Sequence, residues 1–202
     1  HIECGATWER ALADASFEGE AVEVTGERGY VWKGVRIATQ PAHRDWRWLR
    51  MECEYLTLPG SNLLATRLRL TNQTPARMRS RIEVAVWCQP SGEANRSVAI
   101  YERGGQIALR HRTEYAAEIH ATRWAAVQHA ETGTTLLMVN PNPEGGVDVW
   151  DAGKHGAHLF ADADILFAPN ESRQMLFWIL LTRDGERLDT YREALQSLPN
   201  LP

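Results

Sequence analysis

Residues 46–72 read WRWLRMECEYLTLPGSNLLATRLRLTN, and apolar and polar side chains alternate on both sides of the Pro-Gly-Ser-Asn segment at 59–62. Such alternation is typical of half-buried β-strands, in which successive side chains point to opposite faces. Proline and glycine favour a turn between them, because proline presets φ and glycine accepts a positive φ. The segment therefore predicts a β-hairpin with strands at 46–58 and 63–71.

One register of this hairpin suits both of its faces. If Leu58 pairs with Leu63 across the turn, acidic residues face arginines and apolar residues face apolar residues. The four pairs are Glu52 with Arg69, Glu54 with Arg67, Met51 with Leu70, and Cys53 with Leu68. We expect both ion pairs to be solvent exposed, where such a pair contributes about 0–1 kcal/mol to stability.

The rest of the chain is also dominated by strand patterns. Residues 77–89 alternate after a turn at 72–76, and with the hairpin they predict a three-stranded meander that has one buried and one charged face. Further strands are predicted at 21–25, 30–37, 97–103, 106–112, 114–120, 123–130, 134–139, 147–150, 158–160, 165–167 and 173–183.

One helical pattern lies near the C-terminus. It follows Asp184-Gly185 and stops at Pro199. Its apolar positions are Leu188, Tyr191, Ala194, Leu195 and Leu198. These patterns predict an all-β fold, a large antiparallel β-sandwich with one C-terminal helix. We expect the β-sandwich domain at 1–183, and a helix and tail at 184–202 that lead to a further domain of a longer chain.

The composition argues against several classes of partner. The 202 residues are 44% hydrophobic and carry a net charge of −4, so a polyanion such as nucleic acid is not an expected partner. The longest apolar run, at 175–181, is far shorter than the roughly 20 residues of a membrane-spanning helix, and no membrane partner is expected.

The residue usage also bears on the compartment. Three cysteines are an odd count, unlike a disulfide-stapled secreted domain, and the first residues show no secretory signal pattern. The chain has 20 arginines but only two lysines, a bias typical of a GC-rich bacterial genome. The natural compartment is not identified by these features, but a cytoplasmic bacterial location is favoured.

Two segments resemble a known fold family. Residues 64–72 (LATRLRLTN), followed by 77–87, resemble the strand–LTN–strand unit of galactose mutarotase-like β-supersandwich domains. Residues 168–180 (APNESRQMLFWIL) resemble the closing strand of the same domains and the turn before it. Such domains occur in aldose epimerases, glycoside hydrolases and polysaccharide lyases. The resemblance implies a β-sandwich associated with carbohydrate chemistry.

The catalytic signature of that family has no counterpart here. Mutarotases carry a His-Pro-Tyr-Phe-like sequence just after the second strand, where this chain has Cys88-Gln89-Pro90. The family's catalytic glutamate near the end of the domain is not matched either, since Glu171 lies in a turn that resembles a structural element. No catalytic residue is therefore carried over, and the catalytic residues, if any, stay unknown.

A first candidate ligand site lies at the start of the predicted hairpin. A sugar ring stacks its C–H face on a flat aromatic side chain, and its hydroxyls bind charged or polar groups. Five residues of these types occur together: His43, Arg44, Asp45, Trp46 and Trp48. Two tryptophans two positions apart on a strand would share one face. The alternative is that both pack under a loop or against a neighbouring domain.

A second candidate lies in a glycine-containing segment with Trp150, Asp151 and His155. His155 and His158 also raise the question of a metal site, but their spacing matches no known ligand motif. A polar loop is the preferred interpretation, and neither a metal nor a cofactor is predicted.

Three functions remain open from these patterns. The preferred one is a non-catalytic β-sandwich domain of a larger bacterial carbohydrate-active protein, which packs against a catalytic domain or helps to bind a glycan. A second is a stand-alone sugar epimerase or lyase with an atypical site around His43, Asp45 and His155. A third is a structural or oligomerisation module. The expected partners are a carbohydrate ligand and either an adjacent domain of the same chain or a second copy.

Overall fold

A computed structural model describes residues 2–4, 7–9, 16–26, 28–41, 46–88, 97–103, 106–111, 117–120, 123–142, 145–151 and 157–198. The strands are β1 Ile2–Cys4, β2 Thr7–Glu9, β3 Phe17–Thr25, β4 Val31–Thr39, β5 Leu49–Thr57, β6 Leu63–Asn72, β7 Met78–Cys88, β8 Ser97–Arg103, β9 Gln106–His111, β10 Ala117–His120, β11 Trp124–His129, β12 Thr135–Val139, β13 Gly145–Asp151, β14 Ala157–Phe167 and β15 Ser172–Thr182. A 3₁₀ turn at Gly185–Arg187 leads into helix α1, Leu188–Gln196.

The strands form two antiparallel sheets. One has the order β10-β13-β14-β7-β1-β2, and the other has the order β3-β4-β5-β6-β15-β12-β11-β8-β9. The predicted all-β sandwich with one C-terminal helix is thus confirmed. The domain boundary at 183 stays a prediction. Among the described residues, no helix has the length and apolar character needed to cross a membrane.

The chain folds into two compact units. The first comprises 1–83, 163–176 and 200–202, and the second comprises 84–162 and 177–199.

The β5–β6 hairpin in the first unit has the predicted register. Glu52 lies opposite Arg69, Glu54 opposite Arg67, Met51 opposite Leu70 and Cys53 opposite Leu68. Gly60 has a φ of 81° in the connecting turn, a conformation that glycine adopts without a steric penalty. β5 begins later than predicted, because residues 46–48 form a turn in which Leu49 N–H donates to the Trp46 carbonyl at 2.9 Å.

The predicted three-stranded meander is wrong. β7 belongs to the other sheet, and β15 rather than β7 lies next to β6. The buried side chain of Asn72 lies at the start of the segment that leads from β6 to β7. Its Nδ2 donates to the Ala76 carbonyl at 2.8 Å and to the Ala168 carbonyl at 2.9 Å, and its Oδ1 accepts from Thr74 N–H at 3.0 Å. The Asn72 side chain therefore supplies hydrogen-bond partners for backbone groups of the segment after β6, which forms no hairpin with that strand.

The same asparagine ties together the two segments that carried the family resemblance. Its backbone N–H donates to the Glu171 carbonyl at 2.9 Å, and Asn170 N–H donates to the Thr74 carbonyl at 3.1 Å. The Glu171 carboxylate in turn accepts from Ala168 N–H at 2.6 Å. The conformation after β6 and the turn before β15 thus depend on each other.

In the second unit, helix α1 packs against β12. Leu188 and Leu195 are its buried apolar residues. The Arg192 guanidinium lies 5.3 Å from the centre of the Trp124 ring, whose Nε1 donates to Glu102 at 3.0 Å. The helix predicted from the apolar spacing is confirmed. The segments predicted at 158–160 and 165–167 are both parts of β14, and β1 and β2 are strands that the pattern did not reveal.

Candidate functional site

A polar groove runs over one face of strands β3 to β6 in the first unit and has a volume of about 590 Å³. Four carboxylates and four guanidinium groups line it, so that its formal charge is balanced. They belong to Glu18, Glu20, Glu52, Glu54, Arg36, Arg50, Arg67 and Arg69.

The groove owes its inner row of charges to the strand register. Glu20 of β3 lies opposite Arg36 of β4, Arg36 opposite Glu54 of β5, and Glu54 opposite Arg67 of β6. Side chains directly opposite each other on adjacent strands share one face of the sheet. Four strands thus place negative and positive groups alternately along one line.

Glu54 is the centre of this row. Arg36 Nε donates to Glu54 Oε1 at 2.8 Å, and Arg67 Nε donates to Oε2. The side chains of Glu54 and Arg67 are only 7% and 10% exposed, whereas that of Arg36 is 39% exposed. Burial opposes ionisation of Glu54, but the hydrogen bonds and charges of Arg67 and Arg36 outweigh it and lower the pKa of the carboxyl group.

Arg36 connects the buried end of the row to the exposed one. Its Nη1 donates to Glu20 Oε1 at 2.8 Å while its other nitrogens contact Glu54. Hydrogen bonds to these two carboxylates raise the pKa of Arg36. The Arg36 side chain is therefore held in place from both sides, although it remains partly accessible to solvent.

A second row lies two residues further along the strands, about 7 Å away. Glu18, Ala38, Glu52 and Arg69 succeed one another across β3 to β6 in this row. Arg50 Nη2 contacts Glu52 Oε1 at 3.0 Å, and Arg69 Nη1 approaches Glu52 Oε2 to 4.0 Å. Ala38 is the one small residue among charged neighbours in this row, so it forms an open part of the groove floor.

The groove presents hydrogen-bond donors and acceptors at fixed positions, which suits a ligand rich in hydroxyl groups. It is less suited to proton transfer at neutral pH. A general acid needs a raised carboxyl pKa, whereas the pKa of Glu54 is lowered.

The expectation that both hairpin ion pairs are exposed is half wrong. Glu52 and Arg69 are 26% and 57% exposed, as expected for a weak surface pair, but Glu54 and Arg67 are buried. The prediction used only the β5–β6 pair and overlooked Arg36. Alignment of the 30–37 strand against β5 would have shown a second arginine facing Glu54.

Trp46 and Trp48 lie together in the turn before β5. Both side chains are buried, at 5% and 8% exposure. Their ring centres are 6.1 Å apart with planes at 30°, and Trp48 meets the Phe167 ring edge-on at 5.8 Å. In this arrangement the two rings pack inside the first unit. They do not share a strand face, because the strand begins at Leu49.

The structure describes only the backbone, or nothing, of the other predicted ligand residues. His43, Arg44, Asp45 and His155 lie outside the described residues. Trp150 and Asp151 are in β13, opposite Glu118 and Ala117 respectively, and only their backbone is described. Their role in ligand binding stays a prediction. Among the described residues, no group of three or more His, Cys, Asp or Glu side chains could hold a metal ion.

Comparison with solved structures identifies the fold. An α-galactosidase from Lactobacillus brevis superposes with a TM-score of 0.64 at 8% identity, over 91% of this chain and 29% of the enzyme. A GH36 α-galactosidase from Geobacillus stearothermophilus gives 0.60 at 13% identity, over 85% and 28% of the two chains. A protein assigned as an aldose 1-epimerase from Klebsiella pneumoniae gives 0.58 at 13% identity, over 90% and 66%.

The chain thus spans less than a third of each of these two α-galactosidases and 66% of the protein assigned as an epimerase. No family model matches the sequence, and no curated protein matches it either. Because all these identities are low, the likeness concerns the fold. The two sheets, the hairpin and the structural neighbours together assign this chain the galactose mutarotase-like β-sandwich fold.

Proposed function

We propose that this chain is a non-catalytic β-sandwich domain of a larger bacterial carbohydrate-active protein, and that it binds a glycan in the charged groove on β3 to β6. The observation that carries the proposal is the row Glu20–Arg36–Glu54–Arg67, in which paired charges are fixed along a groove, exposed at Glu20 and Arg36 and buried at Glu54 and Arg67. The glycosidases among the structural neighbours support the carbohydrate context.

The chemistry of the groove supports a sugar ligand. Each hydroxyl of a sugar both donates and accepts a hydrogen bond, and it therefore suits a surface on which carboxylates and guanidinium groups alternate. Arg36 and Glu20 are partly exposed and can hydrogen-bond to a ligand while Glu54 keeps Arg36 in position. Preorganised groups of this kind lose little side-chain entropy on binding.

The state of the carboxylates supports a binding role over a catalytic one. Glu54 is held ionised by two arginines. Glu20 pairs with Arg36, and Glu52 pairs with Arg50. Hydrolysis of a glycosidic bond needs one carboxylic acid that stays protonated near neutral pH, and Glu54, whose pKa is lowered, does not provide it.

A glycan array followed by calorimetry on the hits tests the proposal. The variant Ala38→Phe fills the groove floor without removing a charge, and we expect it to weaken binding at least tenfold. Val35→Phe places the same aromatic on the same strand, but on the opposite face, where Val35 is 45% exposed. It should leave the affinity unchanged. Equal affinity of Ala38→Phe and the unmodified protein would exclude the groove as the site, and an array without hits would contradict glycan binding itself.

A stand-alone epimerase is a second candidate, favoured by the structural likeness to the protein assigned as an aldose 1-epimerase. Polarimetry on freshly dissolved aldoses distinguishes the two. The binding domain should leave the spontaneous mutarotation rate unchanged, whereas an epimerase would accelerate it in proportion to protein concentration.

A further inference from the structure

Strand β3 forms an edge of its sheet within the described part of the chain. It is nine residues long and almost entirely exposed. On the side away from β4, its backbone N–H and C=O groups have no described strand to pair with. Such an edge is a template for pairing with another strand.

The usual protection of an edge strand is weak here. Charged side chains on an edge normally repel a second edge. Two of the three glutamates of β3 are, however, neutralised by β4 of the same chain: Glu20 by Arg36 and Glu23 by Lys33, each at 2.8 Å. Their carboxylates therefore repel an approaching strand less than isolated charges would.

We propose that β3 pairs antiparallel with β3 of a second copy and so forms a two-fold symmetric dimer. A two-fold axis perpendicular to the sheet keeps every side chain on its own face, and full overlap of residues 17–25 places Ala21 on that axis. The resulting pairs are Phe17 with Thr25, Glu18 with Val24, Gly19 with Glu23, and Glu20 with Val22, with Ala21 facing itself.

This register avoids every opposition of like charges on β3. An axis through Glu20 would place that glutamate against itself, and an axis through Glu23 would do the same there. An axis through Val22 avoids such contacts but loses the ends of the ladder. Full overlap therefore combines the longest ladder with neutral partners for all three glutamates.

Exposed apolar residues flank the same edge. Phe17 is 57% exposed, and Val31, which lies opposite Thr25 on β4, is 39% exposed. In the dimer, Phe17 of the second copy and Val31 lie on either side of Thr25 on one face of the sheet. Their burial adds a hydrophobic contribution to the strand pairing. A single pair of nine-residue strands is a small interface, so we expect a weak dimer whose fraction rises with protein concentration.

Dimerisation would bring two charged grooves together. The axis is perpendicular to the sheet, so both grooves lie on the same face. Each groove reaches the shared edge, because Glu18 and Glu20 of β3 are among its lining residues. A glycan presented in many copies would then be bound by two sites at once, with a gain in avidity. This last consequence rests on the proposed function, whereas the dimer itself does not.

Sedimentation velocity over a concentration series tests the dimer. Two variants that place opposite charges at position 22 are compared with the unmodified protein. Val22→Glu places a carboxylate opposite Glu20 of the second copy, and we expect it to raise the dimer dissociation constant at least tenfold. Val22→Lys places an ammonium group there and should leave the constant unchanged or lower it. Both variants lose the same valine, so a purely structural effect would move both alike. A wild-type protein that stays monomeric, or variants with equal dimer constants, would overturn the proposal.

A cross-linking experiment remains decisive should the Val22 variants fold poorly. In a background with Cys4, Cys53 and Cys88 replaced by serine, Ala21→Cys should form a disulfide-linked dimer under mild oxidation, because Ala21 lies on the axis. Gly19→Cys should not, because it faces Glu23 of the second copy. Equal cross-linking at both positions, or none at Ala21→Cys, would contradict the register. Sugar binding by the grooves can succeed or fail independently of either result.

Discussion

Glu54 and Arg67 face each other on β5 and β6 as a buried ion pair, although they belong to the wall of an open groove. Arg36 contacts the second carboxylate oxygen of Glu54 from β4. The two guanidinium groups compensate the cost of burying the carboxylate. The arrangement creates a fixed row of charges from residues that lie on four successive strands.

Removal of the Glu54 charge should strongly destabilise the first unit. Glu54→Gln removes the charge of the carboxylate that pairs with the buried Arg67, and loss of one member of a buried pair typically costs about 3–5 kcal/mol. Glu20→Gln removes an exposed carboxylate that contacts the same Arg36, and it should cost about 0–1 kcal/mol. Urea unfolding followed by circular dichroism measures both. Similar losses for the two variants would show that the burial of Glu54 carries no special weight.

The same carboxylate predicts a pH dependence of stability. The pKa of Glu54 lies below its ordinary value of 4.5 in the folded protein, so the unfolded chain binds the proton more tightly than the folded chain does. The stabilisation from Glu54 is therefore complete above pH 4.5 and is lost as the pH falls through the lower folded-state pKa. The free energy of unfolding of wild type minus that of Glu54→Gln should shrink over this acid range. A difference that is independent of pH would contradict the ionised pair.

Asn72 should be essential for the crossing between sheets. Asn72→Ala removes the hydrogen bonds that the Asn72 side chain makes with the carbonyls of Ala76 and Ala168 and with Thr74 N–H. The Ala168 carbonyl still accepts from Glu171 N–H, and the Ala76 carbonyl still accepts from Thr74 Oγ1. Each lost hydrogen bond contributes about 0.5–1.5 kcal/mol, so we expect the variant to lose a few kcal/mol of unfolding free energy. Asn62→Ala, in the exposed turn between β5 and β6, serves as the control and should change the unfolding free energy little. A stable Asn72→Ala protein would show that other contacts hold the crossing.

Two glycines on adjacent strands should respond in opposite ways to the same substitution. A Cβ at Gly34 would collide with the Tyr55 carbonyl oxygen, which is backbone and cannot move alone, whereas a Cβ at Gly19 would meet nothing closer than 3.9 Å. Gly34→Ala should therefore prevent stable pairing of β4 with β5. Gly19→Ala should be neutral or slightly stabilising, because alanine lowers the entropy of the unfolded chain. Thermal unfolding measures both, and a normal melting temperature for Gly34→Ala would refute the close approach.

Local patterns were sufficient for a large part of the fold. Alternation along 46–58 and 63–71, with a Pro-Gly turn between them, predicts β5 and β6 and gives their register to the residue, although β5 begins at Leu49. The register follows because strand pairing across a short turn depends on neighbours in sequence. Helix α1 follows from its apolar spacing for the same reason. The closing strand 173–183 differs from β15 by one residue at each end.

Contacts between residues far apart in the sequence decided the sheet order, the surroundings of Glu54 and the burial of the two tryptophans. Where the chain leaves β6 for the other sheet, Asn72 donates to the Ala168 carbonyl, which is 96 positions away in the sequence. The second guanidinium group on the buried Glu54 comes from Arg36 of β4, which the β5–β6 pair alone does not include. Trp46 and Trp48 are buried where they meet each other and Phe167. Alternation tells which side chains share a face, but what covers that face depends on segments far away in the sequence.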